Sequence, residues 1–160
     1  MKRFSTPSFA LAAVTAASLA CAPVMTRAAD APLALTVDGR PVSRSATVAI
    51  VHRNVPYVNV VEIVRTFNGL VSLHGDSVTV TVRGREATFR ANDLRATVGG
   101  TSVAMPGRAL LIEREFYVPL AFFVAQMAPS ATLRVDRTAM RAMLHVPPPA
   151  AESAAPAATP

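Results

Sequence analysis

The sequence contains two related halves, and this internal repeat restricts the possible folds more than any other feature. The segment AIVHRNVPYV (49–58) aligns with ALLIEREFYV (109–118) at an offset of 60 residues. Downstream of both segments, apolar residues recur at the i, i+3, i+4, i+7 spacing of one helix face: Val60, Ile63, Val64 and Phe67 in one half, and Leu120, Phe123, Val124 and Met127 in the other. The sequence therefore predicts two tandem copies of one unit, at 33–90 and 94–146.

Each copy shows the same succession of local patterns. A short β-run meets a glycine-containing turn, Asp38-Gly39 or Gly99-Gly100, which admits the positive φ angles of tight hairpins. Further apolar runs lead to a helix that begins at Asn59 or Pro119, two residue types that suit a helix start. Asn68-Gly69 is expected to end the first helix, and two strands close each copy.

These patterns predict an α+β fold of two tandem β-hairpin/strand–helix–β-hairpin units, with antiparallel strands packed on one helix in each. One copy alone has one short helix and a few strands, which is too little core for independent stability. We therefore expect the two copies to share a core and unfold as one cooperative unit.

The two ends of the chain differ from this folded part. Residues 1–28 combine Lys2 and Arg3, an apolar run, and Thr26-Arg27-Ala28 before a cleavage point, which predicts a secretory signal peptide. An uncleaved membrane anchor is the alternative. The segment PPPAAESAAPAATP (147–160) has no large apolar residue and predicts a disordered tail. The expected location is therefore periplasmic or secreted.

Cleavage after Ala28 would remove the single cysteine, Cys21, so the fold cannot depend on a disulfide. Loss of Lys2, Arg3 and Arg27 reduces the 16 basic residues to 13 against 10 acidic ones, and the net charge falls from +6 to +3. The remaining arginines are spread along the chain without a cluster, whereas nucleic-acid binding usually needs a basic patch. We expect no nucleic-acid partner, and no membrane span after signal cleavage.

The ordered set of motifs resembles the copper amine oxidase N-terminal-like, or stalk, domain family over about 37–146. The residues that carry the resemblance are Val37, Asp38, Gly39 and Val42, then Tyr117, Val118, Pro119, Leu120, Phe122 and Met127, then Asp136 and Thr138. The chain departs from the family pattern at Asn59, where a proline is usual, and at Ala121 and Ala125, where Arg and Glu are common. These departures concern charges on a binding surface more than the fold.

The resemblance implies a non-catalytic exported structural or binding module without a cofactor. The expected partner is a cell-envelope polymer, such as peptidoglycan or another polysaccharide, or an envelope protein. A purely oligomerising domain is a further alternative.

The sequence shows no local catalytic or metal-binding motif. His52, His74 and His145 are far apart, and neither HxH nor HExxH occurs. The Asn-Tyr-Asp/Glu motif of the quinone precursor is also missing, so amine oxidation is not expected. The remaining enzymatic hypothesis is a small exported hydrolase whose site assembles from distant residues such as His74, Ser77 and Asp136.

A binding surface is predicted at the polar turns of the two copies, because repeats commonly display variable polar groups on turns. Its candidate residues are Arg53, Arg108, Glu113, Arg114, Glu115 and Arg137. Phe122 is the candidate interface residue, because the second helix is apolar nearly all round. We expect Phe122 to be covered, either by the other copy or by a partner.

Overall fold

The computed structural model of the protein describes residues 30–42 and 47–147. The signal peptide predicted for 1–28 lies outside the described residues, as does the predicted tail beyond Pro147. The strands are β1 (Ala31–Pro32), β2 (Ala34–Val37), β3 (Arg40–Pro41), β4 (Ala49–His52), β5 (Val55–Asn59), β6 (Leu70–His74), β7 (Ser77–Val82), β8 (Arg85–Arg90), β9 (Arg95–Val98), β10 (Thr101–Ala104), β11 (Leu110–Ile112), β12 (Glu115–Pro119), β13 (Thr132–Asp136) and β14 (Arg141–His145). The helices are α1 (Val60–Thr66) and α2 (Leu120–Met127).

The predicted α+β class is wrong, because the protein is mostly β. Strands make up 53% of the described residues and helices 13%. The helices have only seven and eight residues, and each contacts strands of two different sheets. They fill the space between the sheets and form no layer against which each copy packs its own strands.

The strands form three sheets, and each sheet contains strands from both halves of the chain. The central sheet has the order β1-β4-β5-β12-β11, the outer sheet β10-β9-β8-β7-β6, and the mixed sheet β13-β14-β2-β3. The first hairpin of each half pairs with the last strands of the other half: β2 runs parallel to β14, and β9 runs antiparallel to β8. The backbone ladders thus join the two halves in all three sheets.

Helix α1 is capped by a side chain at its start and by main-chain hydrogen bonds at its end. The Asn59 side chain accepts hydrogen bonds from the amides of Val61 and Glu62, at 3.0 and 3.3 Å, as a good N-cap does. At the other end Asn68 adopts the left-handed conformation, with φ of 53°. The Asn68 and Gly69 amides then donate to the carbonyls of Arg65 and Val64, which is the Schellman arrangement.

Helix α2 lies inside the core that the two halves share. Leu120, Phe123 and Met127 have no exposed surface, which confirms the apolar face predicted from the repeat. Phe122, on the opposite side, is 7% exposed and meets the edge of the Phe89 ring at a centroid distance of 6.3 Å. Since Phe89 lies in β8, the first half of the chain covers Phe122. The Phe122 ring is therefore part of the core.

Candidate functional site

The two polar turns proposed as a binding surface lie at opposite ends of the central sheet. Arg53 and Asn54 have φ of 47° and 65°, and Glu113 and Arg114 have φ of 51° and 71°, as in two-residue hairpin turns of type I′. Strands β5 and β12 are antiparallel, with Tyr117 opposite Asn59. On this register Arg114 lies level with position 62, so the turns are separated by about eight residue steps, or roughly 26 Å.

The other two arginines of that predicted surface are elsewhere. Arg108 Nη1 donates to the Asn92 carbonyl at 3.2 Å, next to the outer sheet. Arg137 lies in the exposed turn between β13 and β14 of the mixed sheet. The structure thus does not bring the six candidate residues together on one face.

Glu115, a candidate residue of the predicted binding surface, takes part in a side-chain network at the start of α1. Its Oε2 atom accepts from Asn59 Nδ2 at 3.0 Å and lies 2.8 Å from the Tyr117 hydroxyl. The same hydroxyl lies 2.9 Å from the Thr47 carbonyl. Asn59 is 4% exposed, so its amide needs these partners. The network joins the two halves and has no symmetric counterpart, because Val55 and Pro119 occupy the repeat positions that match Glu115 and Asn59.

This network raises the pKa of the Tyr117 phenol to about 12, first through burial and then through the hydrogen bond and negative charge of Glu115. An unfolded tyrosine ionises near pH ~10. The pKa of Tyr117 is higher in the folded protein. The contribution of Tyr117 to the free energy of unfolding is therefore complete below pH ~10 and is lost as pH rises to about 12.

We expect Tyr117→Phe to flatten this alkaline loss of stability. The chain has two tyrosines and no tryptophan, so the ultraviolet absorbance of phenolate reports only Tyr57 and Tyr117. In Tyr57→Phe protein, which isolates Tyr117, the titration midpoint should lie near pH 12. Tyr117→Phe protein isolates Tyr57, whose pKa burial also raises. A midpoint near pH ~10 for the isolated Tyr117 of folded protein would contradict the network.

The three histidines lie in three different sheets, and two of them contact aspartates. His52 Nδ1 lies 2.6 Å from Asp30 Oδ1, and its ring meets the edge of Tyr57. His145 Nδ1 lies 2.8 Å from Asp38 Oδ1, beside an open hollow of about 270 Å³ on the mixed sheet. Among the described residues, no group of three or more His, Cys, Asp or Glu side chains could hold a metal ion.

The residues of the hydrolase hypothesis are not arranged as a nucleophile with its base. Ser77 Oγ donates to the main-chain carbonyl of His74 at 3.0 Å, which is a turn contact within one hairpin. Asp136 lies in the mixed sheet, where its Oδ1 accepts from the Ala139 amide at 2.9 Å. The Ser77 and Asp136 side chains thus serve local turns in two different sheets, and His74 contacts Ser77 through its main chain.

A line of hydroxyl side chains crosses the outer sheet. The strand registers place these residues directly opposite one another on five consecutive strands: Ser72, Thr79, Thr88, Thr97 and Ser102. We call this line the hydroxyl row. It spans four strand spacings, or roughly 19 Å, on the side of the sheet opposite the buried Val78, Val80 and Phe89.

The hydroxyl row is partly held in place by its neighbours. Thr79 Oγ1 and Thr88 Oγ1 are hydrogen-bonded to each other at 3.0 Å. Arg95 donates from Nε to Ser102 Oγ at 2.8 Å and from Nη2 to the Ser102 carbonyl at 3.2 Å. Arg90, beyond the row, is paired with Asp76 at 2.8 Å. The result is a polar face whose nearest cations already have partners.

Sequence reasoning found part of this face and missed the rest. The alternation in SVTVTVR (77–83) predicts one wet side for β7, and Thr79 lies on that side. The alignment of Thr88 and Thr97 with Thr79 depends on the registers of β8 and β9. The sequence predicts no strand at Arg85–Arg90, so it gives no local signal for those registers.

Comparison with known protein families gives a match over most of the described chain. The family model of the copper amine oxidase N-terminal domain matches residues 36–133, more than half of the chain. The chain belongs to the copper amine oxidase N-terminal domain family. No curated protein and no solved structure gives a significant match.

The family resemblance suggested by the sequence motifs is thus confirmed. This family is a non-catalytic accessory domain, so the matched part of the chain is a stalk-like module. Within the described part of the chain, neither helix is long and apolar enough to cross a membrane.

Proposed function

We propose that the protein is an exported, non-catalytic binding module that engages a cell-envelope polymer through the hydroxyl row. The observation that carries the proposal is the alignment of five hydroxyl side chains across five strands. Export is supported by the charged start, apolar run and small residues of 1–28. The non-catalytic role is supported by the family to which the chain belongs.

Hydroxyl groups suit a polymer that is rich in hydroxyl and amide groups. Each serine or threonine can donate one hydrogen bond and accept others, so it can pair with a sugar hydroxyl or an amide in either sense. A single such bond contributes only about 1 kcal/mol net. A row of five offers several bonds to one extended chain, and a polymer presents many equivalent segments, so weak contacts can add up to retention.

The same face is less suited to a folded protein partner. Protein interfaces usually have a desolvated centre enriched in aromatic residues, methionine and arginine. The hydroxyl row has none of these side chains, and the adjacent Arg90 and Arg95 are already engaged by Asp76 and Ser102. We therefore favour a polymer, and we expect binding that depends only weakly on salt.

The proposal predicts that the exported protein co-sediments with insoluble peptidoglycan at low salt. Replacing Thr79, Thr88 and Thr97 together by Val removes three hydroxyls while keeping the β-branched shape that strands favour. We expect the triple variant to bind about a hundred-fold more weakly, since three hydrogen bonds at about 1 kcal/mol each are lost.

The matched control replaces three exposed threonines outside the row by Val, at Thr101, Thr132 and Thr138. It should sediment like the wild type. Absence of wild-type retention at low salt would overturn the polymer proposal, as would equal losses in the two triple variants. Retention that disappears when the peptidoglycan is first stripped of protein would indicate a protein partner.

A further inference from the structure

Strand β6 (Leu70–His74) is an open edge of the outer sheet. It pairs with β7 on one side, with Leu70 opposite Thr81 and His74 opposite Ser77. Among residues 30–42 and 47–147, no strand lies along its other side. An unpaired strand presents main-chain N–H and C=O groups that can be completed by another strand.

The hairpin geometry identifies the outward-pointing groups. The turn between β6 and β7 has two residues, with Gly75 at positive φ in the first position, so His74 and Ser77 form the hydrogen-bonded closing pair. Hydrogen-bonded and non-hydrogen-bonded pairs alternate along an antiparallel ladder. Ser72 therefore bonds toward β7, whereas the N–H and C=O groups of Val71 and Leu73 point away from it.

The other sheet edges carry features that discourage strand addition. Strands β1 and β3 have two residues each and contain Pro32 and Pro41. Strand β13 carries Arg134 and Asp136, and β10 and β11 have only four and three residues. Short length, proline and charge are the usual protections of an edge.

Strand β6 has none of these protections. It has five residues, LVSLH, with no proline and no formally charged residue. Leu70 and Leu73 are 74% and 56% exposed, the two highest values among the large apolar residues that the structure describes. Such an edge is a site of association unless something covers it.

We propose that a second copy of this chain covers the edge by antiparallel β6–β6 pairing about Ser72. With Ser72 opposite the partner's Ser72, Val71 lies opposite the partner's Leu73, and the outward groups of both residues form four main-chain hydrogen bonds across the dyad. Apolar side chains then meet on the core side. No like charges face one another, because the strand has none.

The pairing joins the outer sheets of the two copies into a single ten-stranded sheet. A dyad perpendicular to the sheet keeps both polar faces on the same side, so the hydroxyl row would continue from one copy into the next. The proposal rests on the open edge and its self-complementary register, and it holds whether or not the row binds a polymer.

Light scattering after size exclusion tests the dimer on the full chain. We expect the wild type to dimerise and Leu73→Lys to weaken dimerisation about ten-fold or more, since a charge is placed on the paired edge. Leu94→Lys makes the same change at another exposed leucine and should leave the dimer intact. A wild type that stays monomeric at all accessible concentrations would overturn the proposal.

A disulfide across the dyad tests the register and also covers the case in which Leu73→Lys fails to fold. In a Cys21→Ser background, Ser72→Cys places two thiols in a directly opposed non-hydrogen-bonded pair, with Cβ atoms about 4.5–5.5 Å apart, close enough to bond after small adjustment. We expect an oxidised dimer on a non-reducing gel. Thr88→Cys, on the same face in the middle of the sheet, should remain monomeric on that gel. Equal cross-linking at both positions, or none at Ser72→Cys, would refute the proposed pairing.

Discussion

Phe123→Ala should lower the free energy of unfolding by about 3–5 kcal/mol, the usual cost of removing a large buried aromatic side chain. Phe123 has no exposed surface and lies in α2, with its ring centroid 6.4 Å from that of Phe67 after α1. The cavity would therefore open where the two halves of the chain meet. Urea unfolding followed by circular dichroism measures the change.

Because all three sheets combine strands of both halves, we expect wild type and variant to unfold in one transition. Leu94→Ala is the matched control, since it truncates a leucine that is half exposed, and it should cost well under about 1 kcal/mol. Two separate transitions, or a loss for Phe123→Ala no larger than for Leu94→Ala, would contradict a shared core.

The helices and hairpins could be predicted because their signals are local. Apolar spacing placed Leu120, Phe123 and Met127 on a buried face, and all three are fully buried. Asn59 was a plausible N-cap from its residue type, and its side chain does accept from the α1 amides. Each of these features depends on residues within a few positions of one another.

The fold class was wrong because it depends on pairing between distant strands. Strand β8, with the sequence REATFR, lacks the clean alternation of β7 and lies in the part of the first copy that has no matched pattern. Missing it left the outer sheet incomplete. The parallel pairing of β2 with β14 joins residues about a hundred positions apart, which no local pattern specifies.

The candidate site was only partly predictable for the same reason. Glu115 follows two charged turn residues, so its neighbours in sequence indicate a solvent-exposed side chain. Its partners are nevertheless Asn59, on the adjoining strand, and Tyr117, two residues further along β12. One usable signal was present. The repeat changes at two positions together, since Val55 and Asn59 in one half correspond to Glu115 and Pro119 in the other.

Gly69→Ala should cost about 3 kcal/mol, the upper range for forcing extra volume into a packed region. A Cβ atom at Gly69 would lie 2.5 Å from the Thr81 carbonyl oxygen and 2.7 Å from Val64 Cγ1. The carbonyl belongs to β7, which is paired on both sides, and the valine is fully buried in α1, so neither can move away easily. The Gly69 amide also closes the α1 cap on the Val64 carbonyl.

The usual reason for glycine after a helix does not apply at this position. Asn68, and not Gly69, holds the left-handed conformation, so Gly69 is required for space and not for its φ. Gly39→Ala makes the opposite contrast: φ is +76° and a Cβ would meet nothing within 4 Å, so backbone strain alone should cost about 1 kcal/mol. Thermal or urea unfolding of the two variants separates these causes. If Gly69→Ala were no more destabilising than Gly39→Ala, the close approach of α1 to β7 could not be what selects glycine there.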